Sequence, residues 1–185
     1  MNAATLIVIG VIILIVLWVV GLYNRLVRFR NNRENAFADI DVQLRQRNDL
    51  IPQLVATVKG YAAHEKDLLE RITQARAAVM QAPGINEKIQ ADTQLTQALQ
   101  GLRVQVEAYP DLKANQNFLQ LQQEISDIEN KLAAARRYFN GATRELNTAI
   151  ESFPANILAK NFGFTRQPMY ELTGEQRQTM EQPPQ

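Results

Sequence analysis

The stretch that decides the fold is residues 118–153, which reads FLQLQQEISDIENKLAAARRYFNGATRELNTAIESF. Its apolar residues recur at alternating steps of three and four, the spacing that keeps one face of an α-helix apolar. The residues on this face are Phe118, Leu121, Ile125, Ile128, Leu132, Ala135, Phe139, Ala142, Leu146, Ala149 and Phe153. A helix of that length measures about 54 Å, and its apolar face needs partner helices along all of it. The pattern therefore predicts an all-α bundle of long helices.

The first partner segment lies upstream and carries a second apolar seam, in which Arg47 and Glu65 are polar members. Pro52 interrupts this segment, and because proline has no amide N–H we expect the helix to kink or restart there. Asn48 or Asp49 is placed to cap the restarted helix.

The second partner segment covers residues 86–107 and lies between two turn signals. Pro83-Gly84 separates it from the first segment, which ends near Met80, and Tyr109-Pro110-Asp111 separates it from the third. The sequence therefore predicts three main soluble helical segments in an antiparallel bundle over residues 36–164. After that bundle the chain is polar and contains several prolines, so we predict a disordered tail over residues 165–185.

The N-terminal segment is of a different kind. Residues 3–22 read AATLIVIGVIILIVLWVVGL and contain no charge. About 20 apolar residues in a helix span a hydrocarbon core of about 30 Å, and a helix satisfies its own backbone hydrogen bonds in lipid. The alternative is a cleaved signal peptide, but such peptides have basic residues ahead of a shorter apolar run and a small-residue cleavage site after it. The sequence therefore predicts a transmembrane anchor over residues 1–22.

Basic residues follow the apolar run and none precedes it. The positive-inside rule therefore predicts a single-pass protein whose N-terminus is outside and whose C-terminal domain is cytoplasmic. Residues 23–35 form a predicted basic juxtamembrane helix, whose arginines either only set this topology or also hold anionic head groups. The candidate membrane-interface residues are Trp18, Tyr23, Arg25, Arg28, Arg30 and Arg33.

The composition leaves little material for catalysis. The chain has 185 residues, a formal net charge of +1, no cysteine and a single histidine. The balanced charge gives no basis for binding nucleic acid, and the absence of cysteine excludes disulfides and thiolate sites. His64-Glu65 begins a zinc-protease pattern, but Leu68 stands where the second histidine belongs. The sequence therefore predicts no enzyme, with no catalytic residues, no cofactor and no metal site.

Several non-repetitive strings resemble the LemA family of bacterial membrane-anchored helical proteins. They are YNRLV at 23–27, DIDVQLR at 39–45, RNDLIPQLV at 47–55, VKGY at 58–61, YPDLKAN at 109–115, YFN at 138–140 and FGF at 162–164. One departure is Phe37, near which the family usually has tryptophan. The resemblance implies an all-helical protein of the bacterial inner membrane, without known catalytic residues. It also implies a setting beside HtpX-like membrane metalloproteases and TPM-domain proteins, and hence a role in cell-envelope protein quality control or assembly.

Two classes of function follow from these features. The first is a membrane-anchored scaffold or adaptor that binds other proteins and forms homo-oligomers, and the second is a membrane-remodelling or lipid-interacting oligomer. An antiparallel arrangement would bring the restart near Pro52 beside the Tyr109 turn, either as an interaction patch or as a helix cap and a turn that merely pack together. The candidate patch residues are Arg47, Asp49, Pro52, Lys59, Tyr61, Glu65, Tyr109, Pro110, Asp111, Lys113 and Asn115.

Overall fold

The structure, a computed structural model, describes residues 2–170. Every element in this part of the chain is a helix, which confirms the all-α prediction. The helices are α1 (Ala3–Tyr61), α2 (Lys66–Gln81), α3 (Ile85–Val106), α4 (Pro110–Lys113), α5 (Gln116–Glu151) and α6 (Ala155–Asn161). The chain divides into two compact units, a central unit of residues 37–136 and a terminal unit that combines residues 1–36 with residues 137–185. Both α1 and α5 contribute residues to each unit.

The central unit is a helical bundle whose core is supplied by the apolar seams. The bundle uses part of α1, part of α5 and all of α2, α3 and α4. Core residues that are at most 4% exposed include Ile40, Leu44, Ile51, Leu54, Val58, Ile72, Val79, Leu95, Leu102, Val106, Phe118 and Leu132. The bundle prediction is confirmed, with one difference: the first predicted segment is two helices, α1 and α2, joined by a short turn.

Pro52 lies inside α1, and the helix neither ends nor restarts there. Because proline has no N–H, the carbonyl oxygen of Asn48, four residues earlier, loses its usual helical partner. In this structure the Nε of Arg76, on α2, donates a 2.8 Å hydrogen bond to that carbonyl. The predicted restart at Pro52 is therefore wrong, because a side chain from a neighbouring helix replaces the missing bond. Asn48 does not cap a helix; its Nδ2 donates to the Sδ of Met80 at 3.6 Å.

The helix breaks instead at residues 62–65, where the sequence pattern predicted continuity. Ala62 is 2% exposed, and its carbonyl accepts a 3.1 Å bond from the amide of Glu65. Leu69, in the first turns of α2, is 6% exposed. The tight turn thus buries apolar residues on both sides of the break, and it reverses the chain so that α2 packs back along α1.

The terminal unit joins the first part of α1 to the end of α5 and to α6. Leu26, Ala159 and Phe164 form its small apolar cluster, with Val27, Ala149 and Ile150 packed around them. These contacts put α6 and the residues after it against α1 just beyond the apolar run.

Residues 165–170 pack onto α5, although the disordered tail was predicted to begin at 165. Amide side chains hold this segment: Asn147 exchanges hydrogen bonds with the backbone of Gln167 at 2.8 and 2.9 Å, and Asn140 does the same with Tyr170 at 2.9 and 3.0 Å. Tyr170 is 4% exposed, and its ring lies 5.7 Å from that of Phe139. The prediction is thus wrong for these six residues, and its remainder, residues 171–185, lies outside the described part of the chain.

The N-terminal apolar run has the properties of a membrane-spanning helix. It is the beginning of α1, and the most apolar 18-residue window of this helix has none of its residues buried. Bulky side chains such as Leu14 and Leu17 are 67% and 62% exposed. A helix long and apolar enough to cross a bilayer, with no protein around it, supports anchoring in a membrane.

Candidate functional site

The centre of the central unit is occupied by a buried network of charges. Arg47, on α1, has a fully buried side chain and forms an ion pair with Asp92 of α3, whose side chain is 1% exposed. Arg47 also pairs with Glu129 of α5 at 2.5 Å and donates to Thr96 at 3.3 Å. Arg136, on α5, reaches the second carboxylate oxygen of Asp92 at 2.6 Å. The network therefore links α1, α3 and α5 through charged hydrogen bonds.

This arrangement favours a structural role for the network. Burial by itself lowers the pKa of Arg47, but the attraction of Asp92 and Glu129 and the hydrogen bonds that they accept outweigh burial, so the pKa of Arg47 lies above its ordinary value. Both oxygen atoms of the Asp92 carboxylate are engaged by arginines, and one oxygen of the Glu129 carboxylate is engaged by Arg47. These contacts hold α1, α3 and α5 together.

Sequence reasoning found this network only in part. Arg47 was identified as a polar member of an apolar seam, and its burial explains why a charge stands there. Asp92 was missed, although it lies three residues after Ile89 and three before Leu95, both of which are buried. The available signal for the ion pair was a carboxylate, Asp92, at a seam position of one helix and an arginine, Arg47, at a seam position of another.

A second cluster of polar contacts closes the end of the central unit at the C-terminus of α1. Glu65 accepts hydrogen bonds from the amide of Gln105 at 2.8 Å and from the hydroxyl of Tyr109 at 2.9 Å. The bond to this carboxylate raises the pKa of the Tyr109 hydroxyl above its ordinary value, because it stabilises the protonated phenol. Nearby, Asn115 donates to the hydroxyl of Tyr61 at 2.8 Å and accepts from the amide of Phe118 at 3.0 Å, which caps the start of α5.

The predicted interaction patch is therefore divided. The structure brings together Tyr61, Glu65, Tyr109 and Asn115, which all meet at the C-terminal end of α1. The expected approach of the Tyr109 turn to the Pro52 region does not occur, because α1 continues through Pro52 and α3 follows it to its end.

The other patch residues lie elsewhere or face solvent. Pro110, Asp111 and Lys113 are exposed on the one-turn helix α4, where Lys113 pairs with Glu107. Asp49, Pro52 and Lys59 are exposed along α1, and Arg47 is buried in the charge network.

A surface groove of the central unit lies between α2 and α3 and has a volume of about 710 Å³. Small side chains form much of its lining, namely those of Ala75, Ala78, Ala98 and Gly101. The other lining residues are Glu65, Leu68, Arg71, Gln74, Gln94, Gln97 and Gln105. Sequence reasoning missed this groove; its signal was the repeated alternation of alanine and glutamine on two consecutive helices.

The candidate membrane-interface residues separate into two groups. Trp18, Tyr23, Arg25, Arg28 and Arg30 are exposed, as an interfacial role requires. Arg33 is the exception and corrects the prediction for that residue: it is 5% exposed, its guanidinium lies 4.8 Å from the centre of the Phe139 ring, and its Nε donates to Thr143 at 3.3 Å. Burial lowers the pKa of Arg33, and the negative charge of Glu34 opposes that effect.

Within residues 2–170 there is no group of three or more His, Cys, Asp or Glu side chains that could hold a metal ion.

Comparison with known proteins gives consistent matches. The model of the LemA family matches residues 36–183. Protein LemA of Metamycoplasma hominis is 30% identical over 76% of this chain and 65% of its own length. Magnetosome protein MamQ of Magnetospirillum gryphiswaldense is 23% identical over 78% of this chain and 62% of its own length. Magnetosome protein MamQ 2 of Paramagnetospirillum magneticum is 22% identical over the same shares. The chain thus spans slightly less than two thirds of the length of these relatives.

Proposed function

The chain belongs to the LemA family, and from that premise we propose that it is a non-catalytic, membrane-anchored scaffold that docks helical segments of other proteins in cell-envelope protein quality control or assembly. Family membership by itself supports the coarser statement, a membrane-associated protein without known enzymatic activity. The scaffold function is our inference from the surface of the central unit.

The observation that carries this proposal is the groove between α2 and α3. Its small residues allow the backbone of another helix to approach closely, as small residues do wherever helices pack tightly. Its glutamines present both donors and acceptors, which suits the polar flank of an amphipathic helix more than a small apolar ligand. A groove of this kind binds a helix without requiring a particular charge.

The buried charge network supports the same function by keeping the groove in shape. Asp92 holds both Arg47 and Arg136, so α3 is fixed to two other helices beneath the groove. A preformed groove loses less conformational entropy on binding than a flexible one. The network therefore favours recognition of a partner by a rigid surface.

We extend the proposal to self-association and to topology. Copies anchored in one bilayer are confined to a plane, which raises their effective concentration and populates weak contacts between helices. Homo-oligomers are therefore expected, with HtpX-like membrane metalloproteases and TPM-domain proteins as further candidate partners. The arginines that follow the apolar run favour a cytoplasmic C-terminal domain in the bacterial inner membrane.

Site-specific photocrosslinking in native membranes tests the groove. A photoreactive residue replaces Ala78, which lines the groove, and in a matched control it replaces Gln53, which is exposed on α1 and does not line it. We expect the Ala78 position to give products with helical segments that the Gln53 position does not give, identified by mass spectrometry.

The substitution Gly101→Leu provides the decisive comparison. A Cβ at Gly101 meets only Leu68, at an ordinary 3.5 Å, so the larger side chain fills the groove with little disturbance of the backbone. It should abolish the products formed at Ala78 and leave those formed at Gln53 unchanged. Identical products from both positions, or products insensitive to Gly101→Leu, would refute docking in this groove.

A reporter fused after Gln185 tests the topology. Activity typical of the cytoplasm is expected, and activity in the periplasm would overturn the proposed orientation.

A further inference from the structure

The segment after α5 exposes large apolar side chains that the rest of residues 2–170 leaves uncovered. Phe153, Ile157 and Phe162 are 80%, 58% and 53% exposed. We call residues 153–164 the return segment, because they bring the chain back to α1. The α5 seam predicted Phe153 as its last buried residue, but α5 ends at Glu151 and Phe153 lies beyond the helix, exposed. Three exposed apolar residues within ten positions require an explanation.

The position of the return segment beside α1 explains why its apolar side chains are exposed. The ring of Tyr23 contacts the ring of Phe162 edge-on at 5.0 Å and that of Phe164 at 6.0 Å. Leu26 packs in one cluster with Ala159 and Phe164. The return segment is therefore fixed to α1 at residues 23–26, immediately after the apolar run ends.

That level of α1 corresponds to the interface of a bilayer. If residues 3–22 cross the hydrocarbon core, Leu26 lies about 6 Å beyond its edge, within an interfacial layer of about 5–7 Å per leaflet. Aromatic side chains are enriched at this level because the layer accepts both their apolar rings and nearby polar groups. The apolar residues of the return segment are thus held where lipid, rather than water, would surround them.

The charges around the segment suit lipid head groups. Arg25 and Arg30 are exposed on α1, and Lys160 is exposed on α6. The guanidinium of Arg30 lies 5.4 Å from the centre of the Phe164 ring, so this positive charge is held directly beside the return segment. Basic groups at this depth attract anionic phospholipids, and the attraction grows with each further lysine or arginine near the surface.

A groove in the terminal unit offers space for such a lipid. It has a volume of about 460 Å³ and runs between α1 and the end of α5. Leu22, Leu26, Phe29 and Phe153 provide apolar walls. Arg25 and Arg144 provide two positive charges to the lining, against one negative charge from Glu145. Apolar walls beside guanidinium groups match the upper acyl chain and the phosphate of a phospholipid.

From these observations we propose that the return segment is a second membrane contact, which lies in the interface of the same bilayer that α1 crosses. Phe153, Ile157 and Phe162 enter the boundary between head groups and acyl chains, while Arg25, Arg30 and Lys160 face lipid phosphates. Anchoring thereby occurs at two places in the terminal unit, which prevents α1 from rotating freely about its own axis.

Local fluorescence in vesicles tests this proposal with the full-length chain. The sequence has no cysteine, so Ile157→Cys and Phe162→Cys each create a unique site for an environment-sensitive dye. The matched control is Tyr138→Cys, a 66% exposed aromatic position in the same unit. Its neighbour Phe139 packs on Arg33, about 16 Å along α1 from Leu22, so Tyr138 lies outside the interfacial layer.

In vesicles of phosphatidylcholine with about a third phosphatidylglycerol, the dye at Ile157 or Phe162 should emit at shorter wavelength than at Tyr138. Lipids that carry a nitroxide near the head group should quench the dye at Ile157 or Phe162 about twofold more strongly than the dye at Tyr138. Adding Phe153→Ser to the Ile157→Cys chain should weaken this quenching without loss of helix content, because Phe153 is 80% exposed and lies beyond the end of α5.

Two outcomes would overturn the proposal. Equal emission and equal quenching at Ile157 and Tyr138 would place the return segment in water. Short-wavelength emission that grows with the ratio of protein to lipid, without quenching by the labelled lipids, would show that a second copy of the chain covers the segment instead.

Discussion

The carbonyl of Asn48 allows a direct test of how α1 passes through Pro52. Asn48 is 1% exposed, and its carbonyl oxygen has Arg76 as a donor in place of the amide that proline lacks. Arg76→Met keeps the aliphatic stem and removes the guanidinium, so the buried carbonyl loses this bond. We expect that loss to lower the free energy of unfolding by about 1–3 kcal/mol.

A double-mutant cycle with Pro52→Ala separates this bond from all other effects of Arg76. The alanine introduced at position 52 has an N–H that can donate to the carbonyl of Asn48, so the guanidinium is no longer required. Arg76→Met should then lower the free energy of unfolding by only about 0.5 kcal/mol, which gives a coupling energy of about 0.5–2.5 kcal/mol. Far-UV circular dichroism of the full-length chain in mild detergent, during urea or thermal unfolding, measures each variant.

The matched control is Arg71→Met on the same helix. Arg71 also donates to a backbone carbonyl, that of Asp67 at 3.3 Å, but this bond is exposed. The control should change stability by no more than about 0.5 kcal/mol. Additive effects of Pro52→Ala and Arg76→Met, or equal losses for Arg71→Met and Arg76→Met, would show that Arg76 does not compensate for the proline.

Three further predictions follow from the central unit, each measured by the same unfolding assay. Leu132→Ala should lower stability by about 2–5 kcal/mol, because Leu132 is 0% exposed on the longest seam; an unchanged midpoint would mean that this seam is not buried. Asp92→Asn should lower the free energy of unfolding by about 3–5 kcal/mol, because it leaves the buried charge of Arg47 without its main partner. A loss of stability smaller than that of an average surface substitution would contradict the role of the network. Burial by itself raises the pKa of Asp41, but hydrogen bonds and attraction from Lys88 and Arg45 outweigh burial and hold that pKa below its ordinary 3.8. The ionised carboxylate of Asp41 therefore stabilises the fold above about pH 3.8, and this stabilisation is lost as the pH falls through the lowered pKa. The unfolding midpoints of the native chain and of Asp41→Asn should therefore differ at pH 7 and converge in acid.

The sequence was sufficient to predict the long helices because their apolar period is regular and their partners are one another. Residues such as Leu132 and Ile40 are buried as the seams required. The wrong prediction of a restart at Pro52 has a non-local cause. A proline is normally a local stop signal, but the bond that keeps α1 intact comes from Arg76, which is 28 residues from Asn48 along the chain. No local pattern could reveal a partner that exists only after α2 has folded back.

The candidate site was predictable only where a residue departed from its surroundings. Arg47 and Glu65 were visible as charges in an apolar seam, and Tyr109 was visible within the family string at 109–115. The groove was not visible, because alanine and glutamine are ordinary helix residues and become a surface feature only when two helices place them side by side. The exposure of Phe153 was equally hidden, since the seam period continues past the residue at which the helix ends.

Carboxylates of the central unit connect its helices to one another. Asp92 and Glu129 are held by arginines, and Glu65 accepts bonds from Gln105 and Tyr109. Two surfaces of residues 2–170 carry the binding that we propose, namely the groove on the central unit and the return segment on the terminal unit. One surface has the small residues that helices need to pack, and the other has the aromatic and basic residues that a lipid interface attracts. Because these two surfaces belong to separate compact units, we expect a change that fills the groove to leave the return segment untouched, so that the proposed docking of a helix and the proposed membrane contact can be lost one at a time.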